Sequence, residues 1–410
     1  MSHGNGNLLK LEDDRVHLNG LAPRLAGGAA VVGVVGLAAS IWLGLAEGDG
    51  LRHWGFSYLV SFAFWLSISL GALFFVAIQH LTRASWSVVV RRIAEVMAAN
   101  LPLLAVLAVP ILLLTGKLFP WAGGDAHAGL SDHQDLLDHK APYLNTTFFT
   151  IRWVAYFVIW SGLALYYWRK SLQQDRSGEP RLSITLESRS GPALVLFALT
   201  VTFASYDLLM SLDPVWFSTM FGPYYFAGGV VGFYAVLTLI TFWLQGRGRL
   251  AKVIHIEHLH DYGKLLFAFV FFWAYLAFSQ YMLIWYANIP EETGWIIRRQ
   301  SEGWGWLALV LLFGHFLLPF AGLISRYAKR NRKLLLFWAA WIFVMHWADI
   351  YWLAMPEFSP IGVPMHLMDL LCFVGLGGIY VAGLAWLAGG RSLVPTRDPR
   401  LADSIAFENA

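Results

Sequence analysis

The chain alternates long apolar blocks with short polar connections. Ten blocks recur, near Leu25–Leu45, Leu59–Ile78, Val96–Leu114, Phe148–Trp168, Ala193–Leu212, Tyr225–Leu244, Leu265–Tyr286, Trp304–Ile324, Leu334–Met355 and Leu367–Leu387. Each is about 20 residues long, the length an α-helix needs to cross roughly 30 Å of hydrocarbon. A membrane barrel would need short strands of alternating polarity, and these blocks are continuously apolar. The pattern predicts an all-α polytopic membrane protein with ten transmembrane helices. The membrane domain runs over 25–389, with tails over 1–24 and 390–410.

Composition agrees: 58% of residues are hydrophobic and only 13% charged, against roughly 25% charged in soluble domains. Of the 29 Lys and Arg residues, 23 fall in the two tails and in the loops after helices 2, 4, 6 and 8. The opposite loops hold Arg52, Lys117, Lys140, Arg298 and Arg299, and Arg152 sits within helix 4. The positive-inside rule therefore puts both termini in the cytoplasm. The net charge of +3 follows from this bias and calls for no nucleic-acid partner. With one cysteine, Cys372, neither a disulfide nor a cysteine-ligated iron–sulfur cluster forms within the chain. The first 23 residues are polar and no cleavage signature follows, so no removable signal peptide is expected.

Ionisable groups inside apolar spans are expensive and mark functional paths by default. Asp207, His315, His346, Asp349, His366 and Asp369 lie inside such spans or at their rims. His-x-x-Asp recurs three times, as His258…Asp261, His346…Asp349 and His366…Asp369. Residues three apart share a helix face, so the spacing predicts a proton acceptor beside a carboxylate. At about 1.5 Å of rise per residue, His315 and His346 fall near mid-membrane. The resulting ladder runs from an inner cluster at His258 and Asp261, through Tyr275 and Gln280 and the central histidines, to carboxylates at the outer face. A neighbouring carboxylate tunes a histidine for such relay work. The competing reading for each residue is a buried hydrogen bond that ties helices together. His315 and His346 could also ligate a haem, although a single pair beside bulky Trp347 argues against it. The loop over 115–147 carries Asp125, His127, Asp132, His133, Asp135, Asp138 and His139. Their spacing fits no metal template, so the loop reads as solvated and no metal is expected.

Helices 5 and 9 end in related text. Tyr206 and Asp207 lead to Asp213, Pro214 and then Trp216, Phe217, Ser218; Trp347 and Asp349 lead to Pro356, Glu357, Phe358, Ser359. The similarity predicts two four-helix bundles, helices 2–5 and 6–9, related by a parallel repeat and flanked by helices 1 and 10.

The most specific text runs from Phe278 through Gln280, Trp285, Tyr286, Asn288 and Pro290 to Thr293, preceded by His260, Asp261, Tyr262, Gly263 and Lys264. It resembles the membrane subunits of alternative complex III, a bacterial quinol:cytochrome c or oxidase oxidoreductase. Lys140–Asn145 with Phe148, Phe149 and Arg152, and Met210–Leu212 with Trp216–Thr219, Phe221 and Gly222, resemble the same subunits. The likeness spans helices 2 to 10 and reaches the wider polysulfide reductase NrfD-like superfamily. It implies two four-helix bundles plus two helices, and partners that include an iron–sulfur subunit, a paralogous NrfD-like subunit and multihaem c-type cytochromes. Of the two paralogues in that complex, this chain is similar to the one implicated in proton movement. The resemblance then implies no covalent cofactor, no turnover alone, and a proton path or secondary quinone pocket. The family carries an aromatic after the helix 5 aspartate, whereas Leu208 stands here. A secondary transporter is the alternative, since it would share repeats and midplane polar groups.

Overall fold

The computed structural model describes residues 15–123, 134–301 and 303–409. Ten helices are long and apolar enough to cross a membrane: α1 Leu21–Glu47, α2 Arg52–Leu81, α3 Val88–Leu113, α4 Thr146–Ser177, α5 Arg181–Leu212, α6 Phe221–Gly246, α7 Ile256–Ala287, α8 Trp304–Ile324, α9 Arg332–Glu357 and α10 Leu367–Ala388. The described residues form no strand, and their only β contacts are two isolated bridges. Local chemistry sets many boundaries. Asn145 and Asn331 cap α4 and α9 by accepting from backbone N–H groups of the first turn. Gly48 and Gly178 end α1 and α4 in the left-handed conformation that glycine adopts without strain.

Helix α2 is the most enclosed span and packs against α3, α5, α6, α9 and α10. Helix α6 touches α2, α5, α7 and α9. Glycine lets the two central helices approach: a Cβ on Gly71 would lie 2.7 Å from the Gly229 carbonyl oxygen. Helices α1 and α10 pair through Gly33, Gly36, Gly375 and Gly378, the small-residue interface by which membrane helices pack closely.

Two spans are irregular. Pro102 and Pro110 lack the N–H groups that would bond to Ala98 and Val106, and α3 runs as three pieces, Val88–Ala98, Leu101–Leu107 and Val109–Leu113. In α8 a π-helical stretch covers Leu311–Leu317. Pro319 cannot donate to the His315 carbonyl, and the indole of Trp341 donates to the Gly314 carbonyl at 2.7 Å.

Both tails meet at one end of the molecule, here called the terminal end. Leu393 N–H donates to Val16 O at 2.7 Å, and Arg249 donates to Leu18 O at 2.8 Å. The short helix Leu401–Ile405 packs on α3, where Ser404 Oγ donates to Trp86 O at 2.8 Å. Arg91 and Arg92, which read as loop charges in the sequence, are buried in the first turns of α3. Arg92 holds Glu95 at 2.8 Å and Asp175 at 2.7 Å, and Arg91 pairs with Glu95 and with Asp398 of the C-terminal tail. Burial alone would raise the Asp398 carboxyl; the Arg91 charge and hydrogen bonds outweigh it and hold the group below the usual carboxylate range.

Candidate functional site

The nine residues predicted to form one ladder occupy five separate settings. Only His315, His346 and Asp349 come together. Helix α9 carries His346 and Asp349 on one face, and both approach Gly228 of α6: a Cβ there would sit 3.4 Å from His346 Nδ1 and 3.5 Å from Asp349 Oδ2. At Gly232 a Cβ would lie 2.5 Å from the same imidazole, so any larger residue would expel it. The Asp349 carboxylate is fully buried and accepts from the Tyr224 hydroxyl on one oxygen and from Trp273 Nε1, at 3.1 Å, on the other. No lysine or arginine among the described residues pairs with it.

The histidines flank this carboxylate. Ser67 donates its proton to Phe64 O at 2.7 Å, so its oxygen accepts from His346 Nε2–H at 2.8 Å. That assignment fixes the tautomer and leaves His346 Nδ1 as a buried acceptor with no partner. His315, on the π-helical stretch of α8, is fully buried with both ring nitrogens unpartnered. Its ring lies 6.3 Å from that of His346 and 4.0 Å from Trp273, the residue that also donates to Asp349. π-Helical insertions are frequent at functional sites.

A cleft of about 490 Å³ abuts the cluster. Tyr224 and Trp273 form its inner wall, α7 and α8 its sides through Phe278, Gln280, Leu309 and Leu312, and the helix Pro290–Gln300 its roof. Gln280 also lines the cleft, and its Oε1 accepts from Ser218 Oγ at 3.1 Å.

Asp207 stands apart, buried in α5. Arg152 of α4 grips both its oxygens, at 2.7 and 2.8 Å, and the Tyr156 hydroxyl adds a third bond at 2.8 Å. Tyr143 and Phe148 stack on the guanidinium. This is a closed ion pair rather than a rung between Asp349 and the distal face. Leu208 is buried beside it.

Two of the three His-x-x-Asp motifs are helix-start chemistry. His366 is the N-cap of α10: its Nδ1 accepts from Met368 N, and Asp369 accepts from His366 N at 2.9 Å. Asp369 also accepts from Ser57 Oγ of α2 at 2.6 Å. At the start of α7, His258 Nδ1 accepts from His255 N at 3.3 Å, and its Nε2–H donates to Ser404 O at 2.9 Å. Asp261 pairs with Lys264 instead of His258. Tyr275 is 56% exposed on the outside of α7 and is no part of a buried path. Asp125, His127, Asp132 and His133 lie outside the described residues; no group of three or more metal-ligating side chains occurs among the described ones.

The sequence pattern places Asp213, Arg298 and Arg299 on the outer side without joining them into the distal rim, at the end opposite the tails. Arg298 bridges Asp213 at the end of α5, at 2.9 Å, and Glu357 at the end of α9. Arg299 reaches Glu357 at 3.0 Å and Leu353 O at 2.7 Å. Burial draws the Arg299 guanidinium down to about 10, against the attraction of Glu357. Tyr224, Trp273 and Ser67 were not legible in the sequence, because a hydroxyl or indole in an aromatic-rich span carries no distinguishing signal.

Neither a protein-family model nor a curated protein matches the chain.

Proposed function

We propose that this chain is an integral, multi-pass subunit of a respiratory quinol-oxidising complex of the alternative complex III type. In that setting it lines a proton path or a secondary quinone pocket and does not turn over alone. The observation that supports this best is a buried carboxylate with no cation, Asp349, held behind the cleft's inner wall by Tyr224 and Trp273 and flanked by unpartnered histidine nitrogens. A proton arriving there finds acceptors at His346 Nδ1 and His315, and the hydroxyl of Tyr224 links the carboxylate to the cleft wall. General acid–base groups within hydrogen-bond reach of a ligand are what proton-coupled redox chemistry needs. The arrangement proposed is two four-helix bundles, α2–α5 and α6–α9, with α1 and α10 flanking them; α2 and α6, which pack against each other, form their shared face. The reading takes both termini as cytoplasmic, as the basic loops suggest, and the membrane as a bacterial cytoplasmic one, as the resemblance implies. Its partners are an iron–sulfur subunit, a paralogous NrfD-like subunit and multihaem c-type cytochromes, and quinone or quinol is its only small-molecule ligand.

A transporter is the second reading, favoured by the interrupted α3 and the π-helical stretch at mid-α8. One experiment separates the two. Asp349→Asn keeps size and hydrogen bonding but removes the titratable group, so the complex should assemble with slowed quinol oxidation or proton movement. Full activity and full proton movement in an assembled Asp349→Asn complex would sink the relay. Orientation is tested by reporter fusions, expected to score external after Gly123 and Glu292 and cytoplasmic after Gln174.

A further inference from the structure

The boundary of the cleft beside Asp349 differs between its roof and its side. The roof helix is clamped down at the distal end. Trp295 stacks on Trp216 with centroids 4.2 Å apart and planes 9° from parallel, while Arg298 and Arg299 tie the helix to the ends of α5 and α9. Trp295 is 4% exposed and Arg299 1%. The side between α7 and α8 is open instead: Phe278 is 61% exposed, Leu309 55% and Leu312 47%. On apolar spans of this length, exposed side chains face acyl chains. Of the tyrosines and glutamines that line the cleft, Tyr224 on its inner wall and Gln280 on α7 are buried, whereas Tyr281 and Gln300 are exposed.

We infer that the cleft is filled from the hydrocarbon through the opening between α7 and α8, and that its occupant is a membrane-dissolved amphiphile with a hydrogen-bonding head and a hydrocarbon tail. The head meets Tyr224 and Gln280, and the tail leaves past Phe278 and Leu312. A water-soluble solute would have to lift the clamped roof helix and then shed its hydration in a largely apolar space. The inference rests on reading the cleft as a ligand site, but not on proton movement at Asp349.

The chain has a single cysteine, Cys372, which is buried, so Cys372→Ala gives a background for spin labelling. A nitroxide is placed at Ala308→Cys inside the cleft, at Ala277→Cys on the opposite helix, and at Glu291→Cys on the exposed side of the roof helix. In nanodiscs, oxygen (enriched in lipid) should relax the two cleft labels more than a water-soluble nickel chelate does, with the order reversed at Glu291→Cys. Decylhydroquinone should shift the cleft spectra toward the immobilised form, bare hydroquinone should not, and Leu312→Trp at the opening should reduce the shift. Nickel access exceeding oxygen access at both cleft sites would overturn the lateral route. Equal immobilisation by bare and decylated rings, or none by either, would overturn the class of occupant. If both probes behave as expected while Asp349→Asn leaves the complex fully active, the inference stands and the proton reading fails.

Discussion

Asp207 and Asp349 sit in similar text near the ends of α5 and α9, yet the fold treats them in opposite ways. Asp207 receives a two-pronged guanidinium and a tyrosine hydroxyl, so its charge is neutralised in place. Asp349 receives one hydroxyl and one indole N–H and no cation, and it adjoins a cleft and two histidines. A carboxylate gripped by arginine ties two helices together through an ion pair. One held only by neutral donors in a dry interior is the one whose protonation can respond to a neighbour or a ligand. The difference teaches that similar sequence at a helix end does not assign a role, because the partner across the helix interface does.

The contrast breaks most visibly under Arg152→Leu, which leaves Asp207 buried without its cation. Losing one partner of a buried ion pair costs about 3 kcal/mol or more. Thermal unfolding in detergent should show the largest loss of stability in this series, with most of it recovered in the double variant Arg152→Leu, Asp207→Leu. An undiminished melting temperature for the single variant would mean that the pair is dispensable.

Tyr224→Phe sharpens the other side by removing one of the two donors to Asp349. Leaving a buried acceptor short of a donor costs roughly 2 kcal/mol. The expected loss is therefore smaller than for Arg152→Leu, and it should vanish in an Asp349→Leu background if the bond alone explains it. A smaller effect still separates the two histidines. His346→Leu deletes the bond to Ser67, whereas His315→Leu deletes none, so the first should be less stable by about 1 kcal/mol. Equal losses would mean that His315 has a partner beyond the groups around it.

Asp398 supplies a compensated carboxylate outside the membrane spans. Its carboxyl is held below its ordinary range in the folded state, so its contribution is complete above the unfolded value and is lost as pH falls through the folded one. Acidification should lower the melting temperature of the native protein more than that of Asp398→Asn, and parallel pH profiles would remove Arg91 as the cause. The smallest effect is expected at Tyr275→Leu, within about 0.5 kcal/mol, because its side chain lies on the outer face of α7.

The apolar pattern alone determined the ten spans, because in hydrocarbon a backbone must satisfy its own hydrogen bonds and only a helix of that length does so. The breaks in α3 were also written locally, in Pro102 and Pro110. Sequence likewise marked Asp349 and His346 as expensive residues to bury. It could not rank them against Asp207, since Arg152 is 55 residues away along the chain and one bond away in space. Nor could it tell a His-x-x-Asp inside a helix from one that starts a helix. The same three-residue spacing puts His346 and Asp349 on one face of α9, yet makes His366 and Asp369 a cap on α10. Those distinctions belong to the tertiary structure, because the energy of a buried polar group is set by what faces it, and helices that face each other here are distant in the chain.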